Sequence, residues 1–268
     1  MPFTNTQAAA CGLLAMYAMD TYRVATSSLT PAPAPGLTAS GWTIMAYITG
    51  KDSLFPNGQL QVTSQTVCYG YLARHASGEM VAVIRGTDGF VEWIEDATFV
   101  PISYAPQIAL PAGSGALEVE RGFWTLYKSM QLIDPAGAPL GPLAPTIATA
   151  AGAAGTVTVV GHSLGAALAT YLTLDLARGG LGTRVSACLF ASPYTGNQAF
   201  VELFDQTITD AGITRGPRGP PPRSPREKQT APLAFWVLKP GIRAGPNSSS
   251  VPLPASCLFD GLRFVTTP

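Results

Sequence analysis

Residues 156–168, Thr156-Val157-Thr158-Val159-Val160-Gly161-His162-Ser163-Leu164-Gly165-Ala166-Ala167-Leu168, decide how this chain is read. The run Thr156–Val160 is short, apolar and rich in β-branched residues, which is the composition of a strand buried on both faces of a parallel sheet. After the serine, Leu164, Leu168, Tyr171, Leu172 and Asp175 recur at helical spacing until Gly179 and Gly180 close the segment. Ser163 therefore falls on a strand-to-helix turn of the G-x-S-x-G type, where a serine hydroxyl can be presented as a nucleophile. Gly161 and Gly165 fit that turn because residues without a Cβ let the strand and the helix approach closely. The pentapeptide alone is a weak signal, and the alternative is a glycine-rich turn holding an incidental serine.

Working outward, the pattern alternates strands with helices and predicts an α/β fold with a mostly parallel sheet flanked by helices. Residues 61–72 and 80–85 read as a hairpin joined at Ala76-Ser77-Gly78. Residues 121–133 read as a helix with Phe123, Tyr127 and Met130 on one face, and 145–152 as a short alanine-rich segment of helical character. A strand over 185–191 and a helix over 198–208 follow. Near the N-terminus, Leu13, Leu14, Met16, Tyr17 and Met19 read as a packed helix, and the Pro/Ala/Ser/Thr connector 27–40 as irregular.

Composition narrows the function classes. Of 268 residues, 47% are hydrophobic and 12% charged, apolar for a soluble protein and long enough for one large domain. No apolar run is long enough for a membrane-spanning helix. The N-terminal segment lacks a basic leader region, so it reads as a packed helix rather than a signal peptide, with cytoplasmic residence the default expectation. Cys11, Cys68, Cys188 and Cys257 are widely spaced and show no metal-ligand pairing, which favours buried free thiols over disulfides. The formal net charge of zero hides a division. Residues 1–212 carry 8 Lys/Arg against 14 Asp/Glu, whereas 213–268 carry 8 against 2 and hold 11 of the 24 prolines. Those cations are scattered between prolines instead of arrayed on one element, which argues against a nucleic-acid partner. The expected organisation is one domain over 1–212 and an irregular Pro/Arg-rich segment over 213–268.

Three stretches carry a family resemblance: Val81-Ala82-Val83-Ile84-Arg85-Gly86-Thr87-Asp88-Gly89-Phe90-Val91-Glu92-Trp93-Ile94-Glu95-Asp96, the serine turn, and Ala191-Ser192-Pro193-Tyr194-Thr195-Gly196-Asn197-Gln198-Ala199-Phe200. In this order they resemble the class 3, or fungal-type, triacylglycerol lipases. The resemblance implies an α/β-hydrolase fold and hydrolysis of fatty-acid esters without metal or cofactor, on a lipid or ester substrate at a lipid–water interface. It implies that Ser163 is the nucleophile forming an acyl-enzyme. It places the oxyanion hole at the N–H of Leu164 and at Thr87, through both its N–H and its hydroxyl. It makes residues 88–95, centred on Trp93, a lid helix, with core packing the alternative for Trp93. Asp96 matches a residue that braces the oxyanion loop, and Asp175 reads as a helix-surface residue rather than a triad member.

The chain also departs from the family. Ala166 replaces a glycine that follows the nucleophile turn in many relatives, a small change. The family's triad Asp and His have no counterpart: Asp205 and Asp210 come too early, and the chain has two histidines. His162 adjoins Ser163 but its side chain is expected to diverge from the serine, and His75 is expected roughly 17 Å away at the wrong end of the sheet. Two explanations stand for the tail, a segment read out of frame, with the triad Asp expected near Gly219, and natural divergence. Three functional readings stay open. They are a lipase-type serine ester hydrolase, a phospholipase A1 or short-chain esterase, and a non-catalytic hydrolase-fold protein that binds acyl chains or a partner.

Overall fold

A computed structural model describes residues 4–54, 59–87, 99–106, 116–210, 213–215 and 234–240. Its centre is a nine-stranded sheet in which three adjacent inner strands are parallel: β3 (Met80–Ile84), β8 (Val157–His162) and β9 (Val185–Ser192). They are the strands whose connections pass through helices, as the sequence pattern requires. On one side the sheet continues antiparallel through β2 (Gln61–His75), β1 (Trp42–Leu54), β6 (Gln131–Ile133) and β7 (Pro139–Pro142). On the other side β11 (Ala234–Pro240) and β10 (Ile213–Arg215) extend it, again antiparallel. A separate ribbon pairs β4 (Pro101–Ser103) with β5 (Glu118–Glu120).

Period-2 alternation in the middle strands feeds two cores. Met80, Ala82 and Ile84 of β3, Val157 and Val159 of β8, and Val185, Ala187 and Leu189 of β9 face the larger one. There they meet α3 (Arg121–Lys128), α4 (Leu143–Ala151), α5 (Leu164–Leu176) and α6 (Gln198–Asp210). Val81, Val83, Val160, Cys188 and Phe190 face the opposite way, onto α1 (Asn5–Val24) and α2 (Pro35–Ala39). α5 is buried nearly all round, which its run of Ala166, Ala167 and Ala169 between leucines permits. Each fully buried leucine here contributes about 1.5–3 kcal/mol. Tyr171, in the same helix, lies within a cluster of rings that includes Trp124, Tyr127 and Phe200.

The hairpin, the N-terminal helix and the elements from β8 to α6 fall where the sequence places them. Four features differ. The helix read over 121–133 stops at Lys128, because the Ser129 hydroxyl donates to Leu126 O and accepts from Lys51 N, which turns the chain into pairing with β1. The irregular connector contains one helical turn, α2, started by Pro35 at its first position. β1 was not read from the sequence, since Thr43, Gly50, Lys51 and Asp52 interrupt its apolar alternation. Beyond 212, where periodicity fades, the backbone still supplies β10 and β11. Cys11, Cys68 and Cys188 are free and buried, and Cys257 lies outside the described residues.

Candidate active site

Ser163 sits between the end of β8 and the start of α5 with φ 58° and ψ −125°, a backbone conformation that L-residues rarely adopt. Two hydrogen-bond sets hold it there. Its N–H donates to Phe190 O of β9 at 2.9 Å, and its carbonyl accepts from Ala166 N and Ala167 N at the start of α5. The turn is closed by contacts that exclude a side chain. A Cβ on Gly165 would overlap the carbonyl oxygens of Ile84 and Arg85, and one on Gly161 would overlap the Gly165 carbonyl. The two glycines thus bring the N-terminus of α5 against the end of β3, and with it the segment Arg85-Gly86-Thr87.

That segment borders the serine. A side chain on Gly86 would begin 3.3 Å from Ser163 Cβ, 3.3 Å from His162 Nδ1 and 3.0 Å from His162 O. Thr87 follows directly, and its Oγ1 is buried with no hydrogen-bond partner among the described residues. Leu164 is the first residue of α5, so its N–H has no acceptor within the helix. The structure therefore brings together Ser163, Leu164 and Thr87, with free donor capacity on the two flanking residues. Trp93 and Asp96 lie outside the described residues.

Neither histidine hydrogen-bonds Ser163. His162 packs against Gly86, and burial lowers its pKa, so the ring is neutral at pH 7. His75 lies at the opposite end of β3, where its Nδ1 meets Ser77 Oγ at 2.8 Å and its ring packs on Trp42 at 5.0 Å. From the register of β2, β3 and β8, about seven residue steps separate it from Ser163 along the strands, on the order of 23 Å. Asp175 is three helical turns beyond Ser163, about 18 Å along α5, which removes it from the serine. It is half-buried on α5, with its carboxylate more enclosed than its spacing suggests. Tyr127 Oη donates to its Oδ2 at 2.6 Å, its Oδ1 is buried, and desolvation raises its pKa. Tyr127 comes from α3, and no helical periodicity within α5 reveals that partner.

The Gly196-Asn197 motif is a brace. Asn197 Oδ1 accepts from Phe200 N at the start of α6, while its Nδ2 donates to Ala116 O and its N–H to Glu118 O. Thr195 O accepts from Tyr171 Oη and from Glu120 N. Glu120, buried and raised in pKa by desolvation, accepts from Phe123 N and caps α3. Sequence reading missed two supports of the site. One is Ala191, at φ 53° directly after the residue that holds the Ser163 amide. The other is the environment of Arg85, described below. Among the described residues no group of His, Cys, Asp or Glu is arranged to hold a metal, and no helix is long and apolar enough to cross a membrane.

Known proteins resemble this chain in sequence and in fold. The family model described as Lipase (class 3) matches residues 81–215. Phospholipase A1-II 4 of Oryza sativa subsp. japonica is 32% identical over 141 residues, covering 48% of this chain and 35% of that protein. Phospholipase A1-II 3 of the same subspecies is 28% identical over 152 residues, covering 52% and 36%. The chain thus spans little more than a third of the length of these relatives. Among solved structures, the native propeptide complex of Rhizomucor miehei lipase superposes with a TM-score of 0.52 at 20% identity, covering 77% of this chain and 60% of that one. At that identity the likeness is one of fold, the α/β-hydrolase fold. The matched segment contains the whole constellation from β3 through the serine turn to α6, and the chain belongs to the class 3 lipase family.

Proposed function

We propose that this protein is a serine hydrolase of carboxylic esters of fatty acids, acting through an acyl-enzyme on Ser163. The observation that carries the proposal is the juxtaposition of a strained serine with two unspent donors, the N–H of Leu164 and the buried hydroxyl of Thr87. In this mechanism Ser163 Oγ attacks the acyl carbonyl carbon, and the carbonyl π electrons move onto oxygen. The resulting oxyanion is held by Leu164 N–H and by Thr87, each such donor being worth about 3–4 kcal/mol in the transition state. Collapse breaks the ester C–O bond and expels the alcohol, which carries away the proton given up by the Ser163 hydroxyl. Attack of water on the acyl-enzyme then releases the fatty acid and returns a proton to Ser163 Oγ. The relatives' names favour a phospholipid substrate, with cleavage of one acyl ester, over a triacylglycerol. Residues 88–95 with Trp93 are proposed as the flap that covers the acyl chain at a lipid–water interface.

A second reading is favoured by one observation: neither histidine hydrogen-bonds the Ser163 hydroxyl. On that reading the fold binds acyl lipid with little turnover. One experiment separates the two. The chain and its Ser163→Ala variant are incubated with a fluorophosphonate probe and with phospholipid, triacylglycerol and p-nitrophenyl esters of several chain lengths. The hydrolase reading expects labelling at Ser163 and ester release that the variant loses by at least about 10³-fold. Equal, background rates for both proteins with no label would refute it and leave the binding reading.

A further inference from the structure

Arg85 has an unusual setting for a cation. It is only 3% exposed, and among the described residues its partners are two carbonyl oxygens and two aromatic rings, with no carboxylate. Nε donates to Cys68 O of β2 at 2.9 Å and Nη1 donates to Gly86 O at 2.8 Å. The guanidinium carbon lies 3.5 Å from the ring centroid of Tyr22, near the end of α1, and 4.8 Å from that of Tyr69 in β2. The cation–π contacts and hydrogen bonds that hold the guanidinium here fix its direction closely. That direction matters because of what the Gly86 carbonyl belongs to. Gly86 C=O and Thr87 N–H are the two ends of one planar peptide and point opposite ways. Pinning the oxygen fixes the direction of the N–H, and a cation on the oxygen polarises the peptide so that the N–H becomes a stronger donor.

Resting on the reading of Thr87 as an oxyanion donor, we infer that Arg85 is the positioning residue of the oxyanion hole, held in place by Tyr22 of the N-terminal helix. It touches no substrate atom. It acts through the Gly86–Thr87 peptide, behind a turn where Gly86 packs tightly against His162 and Ser163. The arrangement makes α1 part of the catalytic apparatus, although its residues lie on the face of the sheet away from α5. It also accounts for arginine over lysine, since a guanidinium donates to Cys68 O and Gly86 O at once while presenting a flat face to Tyr22.

The test is the rate at which a fluorophosphonate captures Ser163 in the full chain, resolved into the maximal rate kinact and the half-saturating concentration KI. Phosphonylation builds negative charge on an oxygen where the acyl oxyanion would sit, so it reads the hole directly. Arg85→Gln is expected to lower kinact by about 10- to 100-fold, short of the 10²–10³-fold lost when an oxyanion donor is removed outright, with KI within twofold. Arg85→Lys should restore part of that loss. Tyr22→Leu, which leaves Arg85 in place but removes the ring over it, should lower kinact by about 3- to 10-fold. The ³¹P resonance of the phosphonylated serine should move in all three, which a purely structural role does not require. If Arg85→Gln fails to fold, Tyr22→Leu and Arg85→Lys decide. A kinact unchanged in folded variants, with wild-type labelling intact, overturns the role of Arg85 and leaves Ser163 as nucleophile. A wild-type chain that does not label overturns both.

Discussion

Replacing Ser163 with glycine should make the fold more stable, and more stable than the alanine variant. The reason is the backbone at φ 58° and ψ −125°. For any residue with a Cβ this conformation costs about 1–3 kcal/mol, which the surrounding structure must impose. Here the constraint is visible in the Ser163 N–H tied to Phe190 O and the Ser163 carbonyl tied to the first turn of α5. Alanine keeps the strain and removes only the hydroxyl; glycine removes the strain as well. Against that gain stand two smaller costs. Glycine adds freedom to the unfolded chain, about 0.4–1 kcal/mol, and deleting a buried methyl loses up to about 0.8 kcal/mol.

Taking the middle of each range leaves glycine ahead of alanine by about 1 kcal/mol, or about 2–4 °C in Tm for a domain of this size. The sign is the diagnostic part, since alanine to glycine inside an ordinary helix costs about 1 kcal/mol. Urea and thermal denaturation of wild type, Ser163→Ala and Ser163→Gly measure it, and neither variant should take up the fluorophosphonate. A Ser163→Gly protein no more stable than Ser163→Ala would show that the turn is not strained and that the close approach of β8 and α5 has another cause.

Gly165→Ala should destabilise by about 3 kcal/mol, the upper end for overpacking, because the new methyl meets the backbone oxygens of Ile84 and Arg85, which cannot rotate away. A shift in the urea midpoint worth less than about 0.5 kcal/mol would contradict that packing. Asp175→Asn tests the buried carboxyl. Desolvation holds the folded-state pKa above the unfolded value of about 3.9, so this side chain's stabilising contribution is complete below that pH and is lost as pH rises through the folded value. The asparagine variant, whose side-chain oxygen can still accept from Tyr127, should show a shallower fall in stability from pH 4 to 7; parallel curves would refute the assignment.

Much of the site was legible because its chemistry is local in sequence. A β-branched run, two glycines four residues apart and a leucine-rich helix fix the serine turn by short-range rules, and Gly86, between Arg85 and Thr87, lies against Ser163. What escaped was decided by long-range contacts. The helix beginning at Arg121 ends early because Lys51, far away in sequence, takes its Ser129 hydroxyl. β1 breaks the alternation rule because Lys51, Asp52 and Ser53 lie towards its end, where Lys51 Nζ donates to Ser64 O and Ser53 Oγ meets Tyr69 Oη across β2. Asp175 looked like a surface residue because its partner, Tyr127, belongs to another helix.

The same distinction bears on where the chemistry of this fold resides. Ser163 is made reactive-looking by a turn that any chain with suitable glycines can build, and such a turn alone confers no rate. The oxyanion formed when such a serine attacks an ester needs a second set of donors, delivered from a different strand and held at a fixed angle. In this protein that angle is set by a buried cation anchored, among the described residues, by carbonyls and aromatic rings. One of those rings belongs to the N-terminal helix, outside the residues 81–215 that define the family match. A family match over the central segment therefore includes Arg85 and the peptide it holds but not Tyr22, Cys68 or Tyr69, which anchor it. The contribution of α1 to catalysis has to be measured on a chain that retains Tyr22.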